Sequence, residues 1–201
     1  MSIRVIVPPE AILTPADIVG AHAATDQKIA LLIAAAQEEI DGPDGWLGQS
    51  LGPQTLEYGG WFIEREIMLP CGPVIEVLGI TTEDTDGTPE PAMPGTYRKE
   101  GDFLLISHGA AWVHRPVHKV RYRAGYDDVP VENGGTGPVP ARVKQALQLT
   151  VLHAMTIGTE NLFLRSEQVE GVGTTTYTVS AAATELIRGA IDRLLGGLRR
   201  Y

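Results

Sequence analysis

The stretch Val117–Ile157, VHKVRYRAGYDDVPVENGGTGPVPARVKQALQLTVLHAMTI, decides how this chain is read. Its first part alternates, with Lys119, Arg121 and Arg123 on one side of an extended segment and Val120 and Tyr122 on the other. A period of two predicts a strand. Ala124-Gly125-Tyr126 reads as a turn, and a glycine-rich loop bounded by prolines follows. After Pro138-Val139-Pro140 the period lengthens. Val143, Ala146, Leu147, Thr150, Val151 and Ala154 share one helical face, widened by Leu149, Leu152 and Met155, so a buried helix is expected up to about Ile157. The stretch is a structural junction, a strand handed to a helix, and it carries no catalytic constellation.

Working toward the N-terminus, more β signal precedes it. Gln54–Tyr58 and Glu66–Leu69 alternate, Val74–Thr81 is rich in β-branched residues, and Tyr97-Arg98 and Phe103–Ile106 read as short strands. Thr88–Gly95, with its prolines, reads as loop. Met1–Pro9 is β-prone and stopped by two prolines. Thr14-Pro15-Ala16-Asp17 is a helix start, with Thr as N-cap and Pro at the first position. Thr25-Asp26 starts a second helix whose stripe is Ile29, Leu32, Ile33, Ala36 and Ile40. Glu38, Glu39 and Asp41 oppose the macrodipole at its end, so packing must hold this helix. Toward the C-terminus, residues 159–180 are polar and threonine-rich and read as an arm. Thr184–Leu198 is a final amphipathic helix, with Arg193, Arg199 and Arg200 toward its negative end. The expected fold is α+β and mainly a helical bundle: two N-terminal helices, one long core helix and one C-terminal helix, with a β-rich insert at about 54–123. The expected division is a helical core with its insert over 1–158, and an arm with the terminal helix over 159–201.

Charge and composition narrow the function. The 201 residues carry a net charge of -9, which argues against a dedicated nucleic-acid binder. The charge is uneven: residues 1–110 hold 5 basic and 17 acidic side chains, net -12, and residues 111–201 hold 11 basic and 8 acidic, net +3. Such asymmetry suits a subunit that meets copies of itself or a charged partner, and chance placement on a solvated surface produces it as well. Cys71 is the only cysteine, so no internal disulfide forms, and a reducing compartment is expected. The longest apolar run, Ile29–Ala36, is far short of the ~20 residues a membrane span needs. The opening MSIRVIVPPEAIL is not a signal-peptide pattern.

His114 and His118 are spaced like a helical zinc pair, but Pro116 separates them in a strand entry and no further ligands cluster there. Asp84-Thr85-Asp86-Gly87 fails as a calcium loop, because Thr82 and Met93 would have to be its terminal ligands. Cys71, between Pro70 and Gly72, lacks a basic partner and reads as a packed thiol. Asn133–Gly137 matches no phosphate-loop pattern and reads as a flexible loop. Arg115, Lys119, Arg121 and Arg123 read as a solvated sheet face or a salt-bridged subunit contact, ahead of a polyanion contact. No catalytic, cofactor or metal residue is assigned, and an enzyme is not expected.

In order, four segments resemble the head–tail connector (adaptor) proteins of long-tailed bacteriophages and gene transfer agents. Ala11–Asp17 with Ile29–Ile40 is similar to that family's paired N-terminal helices. Leu69-Pro70-Cys71-Gly72-Pro73-Val74-Ile75-Glu76-Val77 is similar to its LPxxPVxxV strand. Val120–Tyr126 is similar to its VxYxAGY, and Val139–Leu147 to the start of its long helix. One departure is the break at Ile157–Asn161, where relatives continue the helix.

The resemblance implies a non-enzymatic virion protein, assembled in the host cytoplasm into a ring of about a dozen copies at the head–tail neck. Its implied partners are itself, the portal, a stopper or tail-completion protein, and double-stranded DNA that passes without specific binding; no membrane and no cofactor are implied. Leu194, Leu198, Arg199, Arg200 and Tyr201 are the expected portal-docking residues, and Arg115, Lys119, Arg121 and Arg123 the expected subunit contact. The alternative is a small soluble ligand-binding or regulatory module that uses the β-rich region.

Overall fold

A computed structural model describes residues 2–60, 65–83, 86–110, 117–156, 167–169, 173–175 and 181–199. Among these, strands and helices occur in comparable amounts. A five-stranded antiparallel sheet has the order β1-β2-β8-β4-β5, built from β1 (Ser2–Val7), β2 (Gln54–Gly60), β4 (Val74–Glu83), β5 (Pro89–Pro91) and β8 (Val117–Ala124). A three-stranded antiparallel sheet has the order β3-β7-β6, from β3 (Glu66–Met68), β6 (Tyr97–Glu100) and β7 (Phe103–Ile106). β9 (Glu167–Val169) and β10 (Gly173–Thr175) pair antiparallel with each other. The helices are α1 (Gln27–Ile40), α2 (Ala141–Thr156) and α3 (Ala181–Leu195).

The expectation of a mainly helical bundle with a β insert is therefore overturned: the fold is mixed α+β, with a five-stranded and a three-stranded sheet, a two-stranded pair and three α-helices among the described residues. Two causes are visible. First, Ser2–Val7 is β as its sequence suggests, but it joins the large sheet as its edge strand, paired with β2 from Ser2↔Gly59 to Val7↔Thr55. Second, the predicted first helix is only a 3-10 turn, Pro15–Asp17. Its start is as read, with the Thr14 N–H donating to Asp17 Oδ2 at 2.7 Å. Ile18 then turns extended (φ -95°, ψ 127°), so the helix never propagates. α1 does start at Asp26, whose carboxylate accepts from the Lys28 and Ile29 N–H groups at 2.8 and 3.3 Å.

The chain folds as two compact units, each assembled from separate stretches: residues 1–12, 38–139 and 199–201 form one, and 13–37 with 140–198 the other. In the first unit both sheets contribute to a single apolar core. Leu56, Val74, Ile80, Val120, Tyr122 and Ala124 come from the large sheet, and Ile67, Leu104 and Ile106 from the small one. The alternation of β8 is what places them: residues 120, 122 and 124 are buried, while 119, 121 and 123 face outward. Tyr122 is wholly buried, and its hydroxyl donates to the Pro70 carbonyl at 2.7 Å, satisfying its one polar atom.

Two motifs have specific physical causes. In Pro70-Cys71-Gly72-Pro73, a side chain on Gly72 would meet the Asp102 carboxylate at 2.5 Å, and that carboxylate accepts from the Val74 N–H at 2.8 Å. Gly125 ends β8 with φ +120°, and a Cβ there would lie 2.4 Å from the Gly52 carbonyl oxygen. The backbones of 51–53 and 125–126 thus touch, joined by a hydrogen bond from the Tyr126 N–H to the Leu51 carbonyl at 3.0 Å. The loop after it, read as flexible, is tied by hydrogen bonds: Asp127 Oδ1 accepts from Thr136 N at 2.9 Å and from Val129 N at 3.1 Å, and the Thr136 hydroxyl donates to the Gly125 carbonyl at 2.7 Å.

In the second unit α2 buries Val143, Ala146, Leu147 and Val151, the stripe its sequence predicts, and packs against α3. Gln148 donates to the Asp17 carbonyl at 2.9 Å, which holds the 3-10 turn to α2. α3 begins at Ala181, three residues earlier than its sequence suggests, and ends in a 3-10 turn, Gly196–Leu198. Among the described residues no helix is long and apolar enough to cross a membrane.

Candidate functional site: the charged face of the large sheet

The outward face of the five-stranded sheet collects the cations that the alternation of β8 put on one side. The structure gives each described one an acidic partner from a neighbouring strand. Arg4 on β1 and Arg121 on β8 both hold Glu57 on β2, at 2.6 and 2.8 Å, through different carboxylate oxygens. Lys119 pairs with Glu83 of β4. Arg123 reaches Glu76 at 3.4 Å and Glu10 at 3.9 Å. Register produces this ladder, since Arg4↔Glu57 and Glu57↔Arg121 are directly opposed across β1, β2 and β8. The sequence alone does not single out these carboxylates. Glu57 lies on the polar side of an alternating strand, but which cation it meets depends on a register that residue order does not reveal. Arg115, the fourth predicted cation, lies outside the described residues.

Glu57 is the electrostatic centre of this face. It is buried even though it points outward, because the two guanidinium arms cover it. Burial pushes its pKa up, but the hydrogen bonds from Arg121 and Arg4 and their charges outweigh that, so the carboxyl titrates below its ordinary 4.5. A depressed folded pKa means stability that is present above the unfolded value and lost as pH falls through the folded one. Glu57→Gln is therefore expected to cost about 1 kcal/mol at pH 7. In urea titrations from pH 7 to pH 3, the gap between wild type and variant should close below about 4.5; a gap that stays constant would mean the ion pairs contribute nothing.

Beside Glu57 lies a cavity of about 380 Å³, lined by Glu57, Leu78, Gly79, Thr81, Lys119 and Arg121. Two bulges in β4 shape it. The register against β8 skips between Val74 and Glu76 and again between Val77 and Gly79, and the second skip turns Leu78 outward. The walls are already ion-paired, so the niche is polar but internally compensated.

Cys71 is the one thiol of the chain, and it does not have the character of a nucleophile. Burial pushes the Cys71 thiol up to about 11, with Asp44 and Asp41 adding to it, which disfavours the reactive thiolate. Among the described residues no three His, Cys, Asp or Glu side chains converge as metal ligands. His114 and Asp84, parts of the two rejected metal patterns, lie outside the described residues. Of the predicted docking residues, Leu194 and Leu198 are half-buried, and Arg199 sits 5.8 Å from the centre of the Trp46 ring, a cation–π contact. Arg200 and Tyr201 lie outside the described residues.

No protein-family model matches the sequence, and no curated protein matches it. Solved structures do. A chain in the neck of an empty gene transfer agent (GTA) particle, computed with C6 symmetry, is 16% identical and superposes with a TM-score of 0.63, covering 100% of this chain and 96% of that one. A chain in the neck of the native GTA particle, computed with C12 symmetry, is 15% identical with a TM-score of 0.59, over 100% of this chain and 96% of that one. A chain from the virion of the native GTA particle gives 15% identity and a TM-score of 0.59, over 96% and 95%. Along its whole length the chain thus has the fold of chains from the gene transfer agent neck, the resemblance that its four ordered motifs carry.

Proposed function

We propose that this protein is a structural, non-enzymatic subunit of the neck of a phage-like particle, where copies of it form a ring that joins the portal to the tail and continues the DNA channel. The observation that carries this reading is the end-to-end fold likeness to neck chains, with 100% of this chain and 96% of the neighbour superposed. Those necks were computed with C6 and C12 symmetry, which favours a ring of about 12 copies. A net charge of -9 suits a channel wall that passes DNA without gripping it. The amphipathic α3, followed by Arg199, Arg200 and Tyr201, is the portal-docking end in this reading, with Leu194 and Leu198 beside it. Lys119, Arg121 and Arg123, with Arg115, are a subunit contact that exchanges some of its internal ion pairs for intermolecular ones. A stopper or tail-completion protein meets the opposite side.

Electron microscopy of particles from cells lacking the gene tests this. Filled heads without tails are expected, and tailed particles assembled in normal number would overturn the neck role. Truncation before Thr184 is the second arm: a folded protein absent from purified particles is expected, and normal incorporation would remove α3 from portal docking. The rival reading, a small ligand-binding module, rests on the cavity beside Glu57, whose walls are already neutralised by ion pairs.

A further inference from the structure

Two helices each leave an apolar face uncovered, and the two faces match. On α1, Leu31 is 72% exposed, and Ala34 and Ala35 beside it are exposed. On α3, Leu186 is 76% exposed, and Gly189 has nothing within 4 Å of where its Cβ would stand. A glycine inside a helix weakens it, and no neighbour among the described residues accounts for this one. Each face ends in a charged residue. Glu38 on α1 and Arg193 on α3 are exposed and make no ion pair among the described residues. Glu38 also opposes the α1 macrodipole from its last turn, an arrangement that an incoming cation would relieve.

The spacing is the same on both helices. Leu31, Ala34 and Glu38 stand three and four residues apart, as do Leu186, Gly189 and Arg193. Laid parallel in that register, leucine meets leucine, alanine meets glycine, and carboxylate meets guanidinium. The small residues at the middle let the helix axes come close, and the large ones at one end fill the remaining space. Both faces are exposed in the same chain.

We infer that α1 of one copy packs in parallel against α3 of the next copy, Leu31 on Leu186 and Glu38 on Arg193, as a repeating contact of the ring in addition to that of the β8 cations. This rests on the ring reading above and names the surface that would close it. The contact uses two different patches per subunit, as a head-to-tail ring requires.

Cysteine crosslinking in assembled particles tests it. Particles carrying Ala34→Cys together with Gly189→Cys should give, after mild oxidation, a ladder of covalent multimers on a denaturing gel. Wild type and each single variant should give none. An independent arm uses charge: Arg193→Glu should lower the copies per particle, counted by quantitative mass spectrometry, about tenfold, and adding Glu38→Arg should restore them. Rings visible in the double-cysteine particles with no ladder, and with Arg193→Glu incorporated normally, would overturn this contact and leave the ring intact. A dimer from Ala34→Cys alone would replace it with a symmetric α1 pair. Particles with the protein present but in no ring would overturn the contact and the ring together.

Discussion

Replacing Asp41 by alanine is expected to lower the unfolding free energy by about 3 kcal/mol. Asp41 follows the last residue of α1 and is 6% exposed. Its carboxylate accepts from the Leu51 N–H at 2.7 Å, the Gly52 N–H at 2.9 Å and the Gln54 amide at 2.8 Å. These bonds tie the end of the helix to the strand that opens the sheet, across a segment in which Leu47, Leu51 and Ser50 are completely buried. Alanine would leave the Leu51 and Gly52 donors dry and unmatched, and the cost of a buried unsatisfied donor exceeds the net worth of the bond it lost. Asparagine keeps one acceptor oxygen and should cost about half as much. Urea unfolding followed by circular dichroism checks this: the midpoint should drop in the order wild type, Asn, Ala with an unchanged slope. Equal midpoints for wild type and Ala would show that the carboxylate does not hold the segment.

Gly125→Ala should be at least as damaging, about 4 kcal/mol, and two independent causes act together. The residue sits at φ +120°, where an L side chain is strained. Its Cβ would also press on the Gly52 carbonyl oxygen at 2.4 Å, and that atom is backbone that cannot rotate away. Relief requires moving the 51–53 segment off the end of β8, which breaks the Tyr126-to-Leu51 hydrogen bond. Gly79→Ala is the control. It lies in the same sheet, nothing stands within 4 Å of its Cβ position, and its φ is not left-handed. Melting temperatures should fall by about 8–16 °C for the first substitution, as about 4 kcal/mol implies for a chain of this size, and hardly move for the second. Similar melting temperatures for both would mean that the close approach at Gly125 is not a constraint.

Both expectations rest on contacts that the order of residues does not contain, and the same division runs through the molecule. The strand–turn–helix reading of Val117–Ile157 is realised in β8, the Gly125 turn and α2, because alternation and helical spacing are local properties. The apolar stripe of α2 is buried at Val143, Ala146, Leu147 and Val151, and the Thr14 cap forms as read. Helix starts and faces are legible because the atoms that make them lie within a few residues of one another. The order of motifs was enough to point to the neck fold.

Architecture was decided elsewhere. The segment Ser2–Val7 became a sheet edge because β2, far along the chain, offered it a register, and with it the β region turned from an insert into the body of a unit. The cations of β8 were visible as a row, but their compensation by Glu57, Glu83 and Glu76 needed three strands brought side by side. Asp41 read only as a carboxylate at a helix end, and its role as a buried acceptor appeared once residues 51–54 folded back over it. By itself the sequence determined periods, caps and turns, since these are set by hard-sphere geometry and hydrogen bonds over short separations. Tertiary structure alone decided pairing, register and which charges are neutralised, because those depend on contacts between residues far apart in the chain.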